Sequence, residues 1–236
     1  MHEPVEPDLR AALIGGLRAA RSVEIAIFEA LDPASRDAPA PDGGWSTKDV
    51  QAHLSAWRRL QAARLSARRE GREEPVGPAG ETDEANAIFH AERAGWTWAT
   101  VVADADSATE ALISEVGAAS DEVLGEGRIV GTILGNGPEH DLAHLPAIAA
   151  TVHLDELVTN LASLVEASIG QGEWPMRATA FARYNLACFY ALRGKLDRAR
   201  PLLRQALLTE PELRALAPVD DDLIALREEI AELATG

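Results

Sequence analysis

The chain has 236 residues and a formal net charge of −16, with 38 acidic against 22 basic side chains. That imbalance repels phosphate backbones as a whole, so nucleic-acid binding is not expected, and the acidic surface is read as serving solubility. Hydrophobic residues make up 47% of the chain and aromatic ones only 5%; with alanine and leucine dominant, the mix predicts a buried core built from helices rather than strands.

The first helix is predicted from about Asp8 to Glu29, because Leu9, Leu13, Leu17, Ala20, Val23 and Ile27 recur at helical spacing. It ends in DPASRDAPAPDGG, a loop whose prolines and glycines cannot continue a helix. The second helix has a clear start: Ser46 can cap the free amides of the first turn and Asp49 adds negative charge there. Its apolar face is Val50, His53, Trp57 and Leu60, and its end is rich in arginine. A short helix follows from Thr82 to Arg93, and a third long one from Thr97 to Ala119. The glycine-rich stretch GEGRIVGTILGNGP reads as a loop with a brief extended piece at Ile129 to Ile133.

The fourth long helix is predicted from Pro138 to Gly170, with His140, His144, Ile148, Thr151, Val158, Leu161 and Val165 on one face and Pro146 inside its first turns. Two further helices are expected near Met176–Leu192 and Leu196–Leu208, and a last one over Asp221–Leu233. The expectation is an all-α protein: a four-helix bundle over residues 1–172, with any site facing its core, and a helical hairpin with a capping helix over residues 173–236.

In YNLACFYALRGKLDRARPLLRQALLTEP, Leu186, Ala187 and Tyr190 fall on one helix, Gly194 turns the chain, Ala199, Leu203 and Ala206 fall on the next, and Pro211 closes the unit. The spacing resembles one tetratricopeptide (TPR) repeat, departing from it at Arg183, where the repeat usually has a large aromatic. One repeat cannot bury its own faces, so packing on the bundle and recruitment of a protein partner stand as alternatives.

Cys188 is the only cysteine, which rules out an intramolecular disulfide and suits a reducing compartment; it reads as a small core residue rather than a nucleophile. The N-terminus MHEPVEPDLR has no secretory pattern and no apolar run reaches about 18 residues, so a cytoplasmic protein without membrane contact is expected. Arg58, Arg59, Arg64, Arg68, Arg69 and Arg72 form a basic run, read as a solvated helix face balanced by Glu70, Glu73 and Glu74.

The chemistry-bearing residues are histidines. His140 and His144 lie four apart on one helix and project from one face. His53 lies on the apolar face of another helix, and a third ligand from a facing helix completes a three-nitrogen site with a coordination position left open. Imidazoles suit zinc, nickel or iron. His90 and His153 lack such context, and His2 lies in the terminal segment.

Two motifs carry a resemblance to a known family. GWSTKDVQAHLSAW, from Gly44 to Trp57, resembles the second-helix signature of the DinB-like superfamily, and HDLAHLPAI, from His140 to Ile148, resembles its fourth-helix motif. The His-x3-His-Leu-Pro-x-Ile form looks closest to the ClbS/DfsB branch, and TDEANAIFHAERAGWTWATVVAD, with Asn86, is similar to the middle of that branch. Pro146 stands where many metal-binding relatives have glycine. The resemblance, over roughly residues 5–170, implies a divalent metal on His53, His140 and His144. It implies a metal-dependent hydrolase or thiol transferase acting on small electrophiles in detoxification or stress protection. It leaves open a metal-free protective or sequestering protein of the ClbS kind, as the hairpin leaves open a non-enzymatic adaptor. Pairing through an exposed bundle face allows a homodimer.

Overall fold

A computed structural model of the chain describes residues 8–40, 44–78, 82–171 and 174–234. His2 and Gly172, the expected domain boundary, lie outside the described residues, which are helical and contain no strand. No helix among them is long and apolar enough to cross a membrane.

The helices in chain order are α1 (Leu9–Ala30), α2 (Pro33–Asp37), α3 (Thr47–Arg69), α4 (Thr82–Arg93), α5 (Trp98–Ala118), α6 (Asp121–Leu124), α7 (Gly127–Gly135), α8 (Pro138–Thr151) and α9 (Asp155–Ile169). Then come α10 (Met176–Ala191), α11 (Leu196–Thr209), α12 (Pro211–Leu216), two 3-10 segments (Ala217–Val219 and Asp221–Leu226) and α13 (Arg227–Ala234). The starts follow from capping chemistry. Asp8 accepts from the Arg10 amide, and Thr97 caps α5. At α3, Ser46 Oγ accepts from the Asp49 amide while the Asp49 carboxylate accepts from the Ser46 amide, a reciprocal capping box.

The main body is formed by α1, α3, α5, α8 and α9. The periodic stripe of α1 supplies Leu13, Leu17, Ala20 and Ile27, and α5 supplies Val101, Ala105, Ala108, Leu112 and Val116, all essentially fully buried. Each such Leu, Ile or Val side chain contributes roughly 1.5–3 kcal/mol of transfer free energy.

Four expected features differ. The loop read after α1, DPASRDAPAPDGG, contains the short helix α2, which Asp32 caps and Pro33 opens. GEGRIVGTILGNGP is not a loop with an extended piece but contains α7, whose Ile129, Val130, Ile133 and Leu134 are buried at helical spacing. The apolar periodicity outweighs the poor helix propensity of its glycines, and two nearby glycines serve close approach. A Cβ on Gly127 would meet the Arg177 Cβ at 3.0 Å, and one on Gly137 would meet Leu17 Cδ2 at 2.6 Å. The long fourth helix is two helices, α8 and α9. His153 takes the left-handed conformation (φ 58°), the Leu154 amide reaches back to the Ala149 carbonyl and the His153 amide to that of Ala150. This is a Schellman stop with histidine in the position glycine usually fills. At the C-terminus, Pro211 opens α12 instead of only closing a unit, and the expected Asp221–Leu233 helix begins as a 3-10 segment before α13.

Gly194 makes the hairpin turn in the left-handed region, and Ala199, Leu203 and Ala206 of α11 are buried. Eleven of the sixteen residues of α10 are buried, because α10 packs on α7, α8 and α9 on one side and on α11 and the second 3-10 segment on the other. The buried apolar cluster therefore runs unbroken from the main body into the hairpin.

Candidate metal centre

The capping box sets the start of α3, and seven residues after Ser46 the helix carries His53 into the interior. Pro138 opens α8 with a fixed φ and no amide to satisfy, which places His140 in the first turn and His144 one turn later. The structure brings these three together. The Nε2 atoms of His53 and His140 are 2.9 Å apart, the ring centroids lie 4.7, 4.9 and 4.9 Å from one another, and one donor nitrogen from each ring falls within 4.8 Å of the others.

The donor set fits a divalent ion. Tetrahedral zinc at about 2.0–2.1 Å from each nitrogen sets nitrogens about 3.3 Å apart, so His53 and His140 would part by only a few tenths of an ångström. Burial pushes the His53 imidazole down to about 3, helped by His144. Burial likewise holds His140 well below its ordinary value, with His53, His144 and Arg58 adding to the effect, and lowers His144. Three rings that stay neutral keep their lone pairs available for a metal. The Nδ1 atoms of His53 and His140 are buried without a partner among the described residues.

Beneath the histidines lies an ionic network that the sequence reading misassigned. Arg58 is not on a solvated face; it is fully buried, paired with Glu24 of α1 and, at 2.6 Å, with Asp141 of α8, the residue after His140. Glu24 also meets Arg21 at 2.8 Å and accepts from Gln51 at 3.0 Å, and Arg21 reaches Asp106 of α5 at 2.6 Å. Burial alone would raise both carboxyls. The Arg58 guanidinium and Arg21 overcome that at Glu24 and bring it below its ordinary value. At Asp141 burial wins, with Glu24 adding to it, and the carboxyl is held well above its ordinary value. Four helices are thus tied together directly beside a candidate ligand. The spacing Gln51, Ser55, Arg58, Ala62, Leu65 on α3 carried the signal, since these residues share one buried face. Of the other arginines of the run, Arg68, Arg69 and Arg72 meet Glu74 and Glu70 as expected, joined by Glu115 and Glu126 from outside the run, whereas Arg59 pairs with Asp104 of α5 and Arg64 donates to the Pro75 carbonyl.

Two histidines were set aside in the sequence. His153 is an exposed helix stop. His90 lies near the site without joining it: its ring stacks on Trp45 at 5.4 Å, and Trp45 in turn lies 4.9 Å from the His53 ring. Asn86 accepts the Trp57 indole N–H at 2.9 Å and pins α4 to α3.

His140 and His144 look onto different cavities. His144 joins Leu31, Trp45, Val50, Ile148 and Val152 around a space of about 660 Å³, whose lining among the described residues has one charged side chain, Asp32. His140 and its neighbour Glu139 border a space of about 390 Å³ between α8 and the C-terminal hairpin. Burial pushes the Glu139 carboxyl up to about 7, against the hydrogen bond from Asn185. Glu139 was not singled out in the sequence; a charged residue next to a candidate ligand histidine at a helix N-terminus was the available sign. Cys188 is buried as expected, its thiol raised by burial and by Asp220 and Asp222.

No family model, curated protein or solved structure matches the chain.

Proposed function

We propose that His53, His140 and His144 hold a divalent metal ion (zinc, nickel or iron), and that the chain is an enzyme acting on small apolar electrophiles. The observation that supports this most is the convergence of three neutral imidazoles from two helices, with their donor nitrogens within 4.8 Å. A bound ion would supply a Lewis acid for an electrophilic group or a water of lowered pKa, and three protein ligands leave a position open for either.

The chain's own residues prepare the site. The fixed α3–α8 ion pair holds the two ligand-bearing helices in register. The space beside His144, lined by Leu31, Val50, Ile148 and Trp45, suits the apolar body of a substrate. The same residues carry the DinB-like resemblance, which we take as kinship in fold and site. A single buried cysteine accords with a cytoplasmic setting. The enclosure of α10 supports a packing role for the hairpin over an adaptor role.

Styrene oxide is a suitable probe, incubated with the protein with and without a low-molecular-weight thiol. The reading expects consumption that stops on chelation and returns with zinc, nickel or iron. Consumption unaffected by chelation would favour the metal-free protective alternative instead.

A further inference from the structure

The space beside His144 has a direction as well as a volume. Its wall on α8 is the stripe His144, Ala147, Ile148, Thr151 and Val152, so one face of that helix lines it well beyond His144. At a rise of about 1.5 Å per residue the wall runs roughly 12 Å from His144 to Val152. The facing wall comes from the connection between α1 and α3, with Leu31, Ala38 and Pro39, and from Trp45 and Val50 around the start of α3. Trp45, Val50, Ile148 and Val152 are only partly buried, so apolar surface is turned to this groove rather than into the core.

The polar side chains of the lining are committed elsewhere. The Asp32 carboxylate accepts from the Ala34 and Ser35 amides at 2.9 and 3.1 Å as the cap of α2, and the Ser35 hydroxyl donates to it as well. The Thr151 hydroxyl donates to the Ile148 carbonyl at 2.7 Å, and Thr47 is itself buried in the first turn of α3. Among the described side chains this leaves His144, at one end of the α8 stripe, as the polar group a ligand can address. A ligand rich in hydroxyls, amides or charges would give up water in the groove without replacement partners. A ligand with one polar end and a hydrocarbon body escapes that cost and gains by burial.

We propose that this groove takes an unbranched aliphatic chain, and that the substrate is a medium-chain molecule with a single electrophilic head, such as a terminal epoxide, held at His144 with its tail toward Thr151 and Val152. The nature of the head rests on the metal-site reading above; the chain rests on the groove alone. The volume of about 660 Å³ falls in the range of small-ligand pockets. Ala147 and Thr151, both exposed residues of the α8 wall, set the usable length, Ala147 beside the head and Thr151 beside the tail.

Calorimetric titration of the full chain with straight-chain primary alcohols, as purified and after chelation, tests the groove without calling on any reaction. Affinity is expected to rise by roughly twofold to fourfold per methylene from butanol to octanol, with or without chelator, and to level off at decanol as the chain outruns the wall. Triethylene glycol, a polar chain of similar reach, is expected not to bind. Thr151→Trp should weaken octanol by roughly tenfold, the worth of about two methylenes, and leave butanol unchanged, whereas Ala147→Trp should weaken both; circular dichroism confirms that each variant keeps its helical content. Rising affinity along the series supports the groove even where epoxides go unconsumed, a result that would instead count against the metal-enzyme reading. Affinity independent of chain length, glycol binding as tight as that of octanol, or an octanol affinity that Thr151→Trp leaves unchanged would overturn the groove, even where styrene oxide is consumed.

Discussion

The Nε2 atoms of His53 and His140 lie 2.9 Å apart, although 87 positions separate the two residues in the chain. Neither ring has a partner at Nδ1 among the described residues, so each has its Nε2 turned to the other. If a metal lies between them, the three rings share its binding energy. Replacing His144 with alanine should weaken zinc affinity by more than about 100-fold, read by competition with a chromogenic chelator. His90→Ala should leave that affinity unchanged, since His90 touches Trp45 and the capping Asp49 and is not one of the three converging rings.

Arg58 is the hinge of the buried network, and removing it strands two carboxyls, Glu24 and Asp141, in the interior. Arg58→Leu is expected to destabilise the protein by roughly 3–5 kcal/mol, measured by denaturant unfolding. Arg69→Ala, on the exposed end of the same helix, should leave the midpoint essentially where it is. A small effect at Arg58 would mean the pairs contribute little to holding α1, α3 and α8 together.

The pH dependence of stability in metal-free protein follows from two opposing sets of groups. The site histidines have folded values below the unfolded one, 6.5 against about 3 for His53. The unfolded chain therefore binds more protons in that interval, and stability is lost as pH falls below 6.5. Glu139 is the opposite case, raised from 4.5 to about 7. It favours the folded state at low pH and loses that contribution as pH rises from 4.5 to about 7, by up to roughly 1.4 kcal/mol per pH unit. Unfolding curves across this range should show Glu139→Gln removing the loss on the alkaline side. An unchanged slope in the variant would rule out a raised Glu139.

The glycines around α7 separate helix propensity from packing. Gly131 has open space where a Cβ would go, whereas a Cβ on Gly137 would press on Leu17 and the Ile133 carbonyl. Gly131→Ala should be neutral or stabilise by up to about 1 kcal/mol. Gly137→Ala should destabilise by about 1–3 kcal/mol. Thermal melts of the two variants distinguish them.

The sequence made the helices legible where capping and periodicity agreed, as at Ser46–Asp49 for α3 and along the Leu13–Leu17–Ala20 stripe of α1. It failed where glycine content spoke louder than apolar spacing, at Ile129–Ile133, and where one residue stopped a continuous periodic face, at His153. The three histidines were visible because motif and helical spacing coincide. Arg58, Glu24 and Asp141 were not, because a charge run reads as solvated unless each member is checked against the buried face. Glu139 was missed because its role depends on α10, contributed by a segment far along the chain.

Metal analysis of the purified protein tests the central claim most directly. The account predicts about one divalent ion per chain, lost when His53, His140 and His144 are replaced together by alanine in a protein that keeps its helical content. A substoichiometric ion content that is the same in the wild type and the triple variant would contradict it.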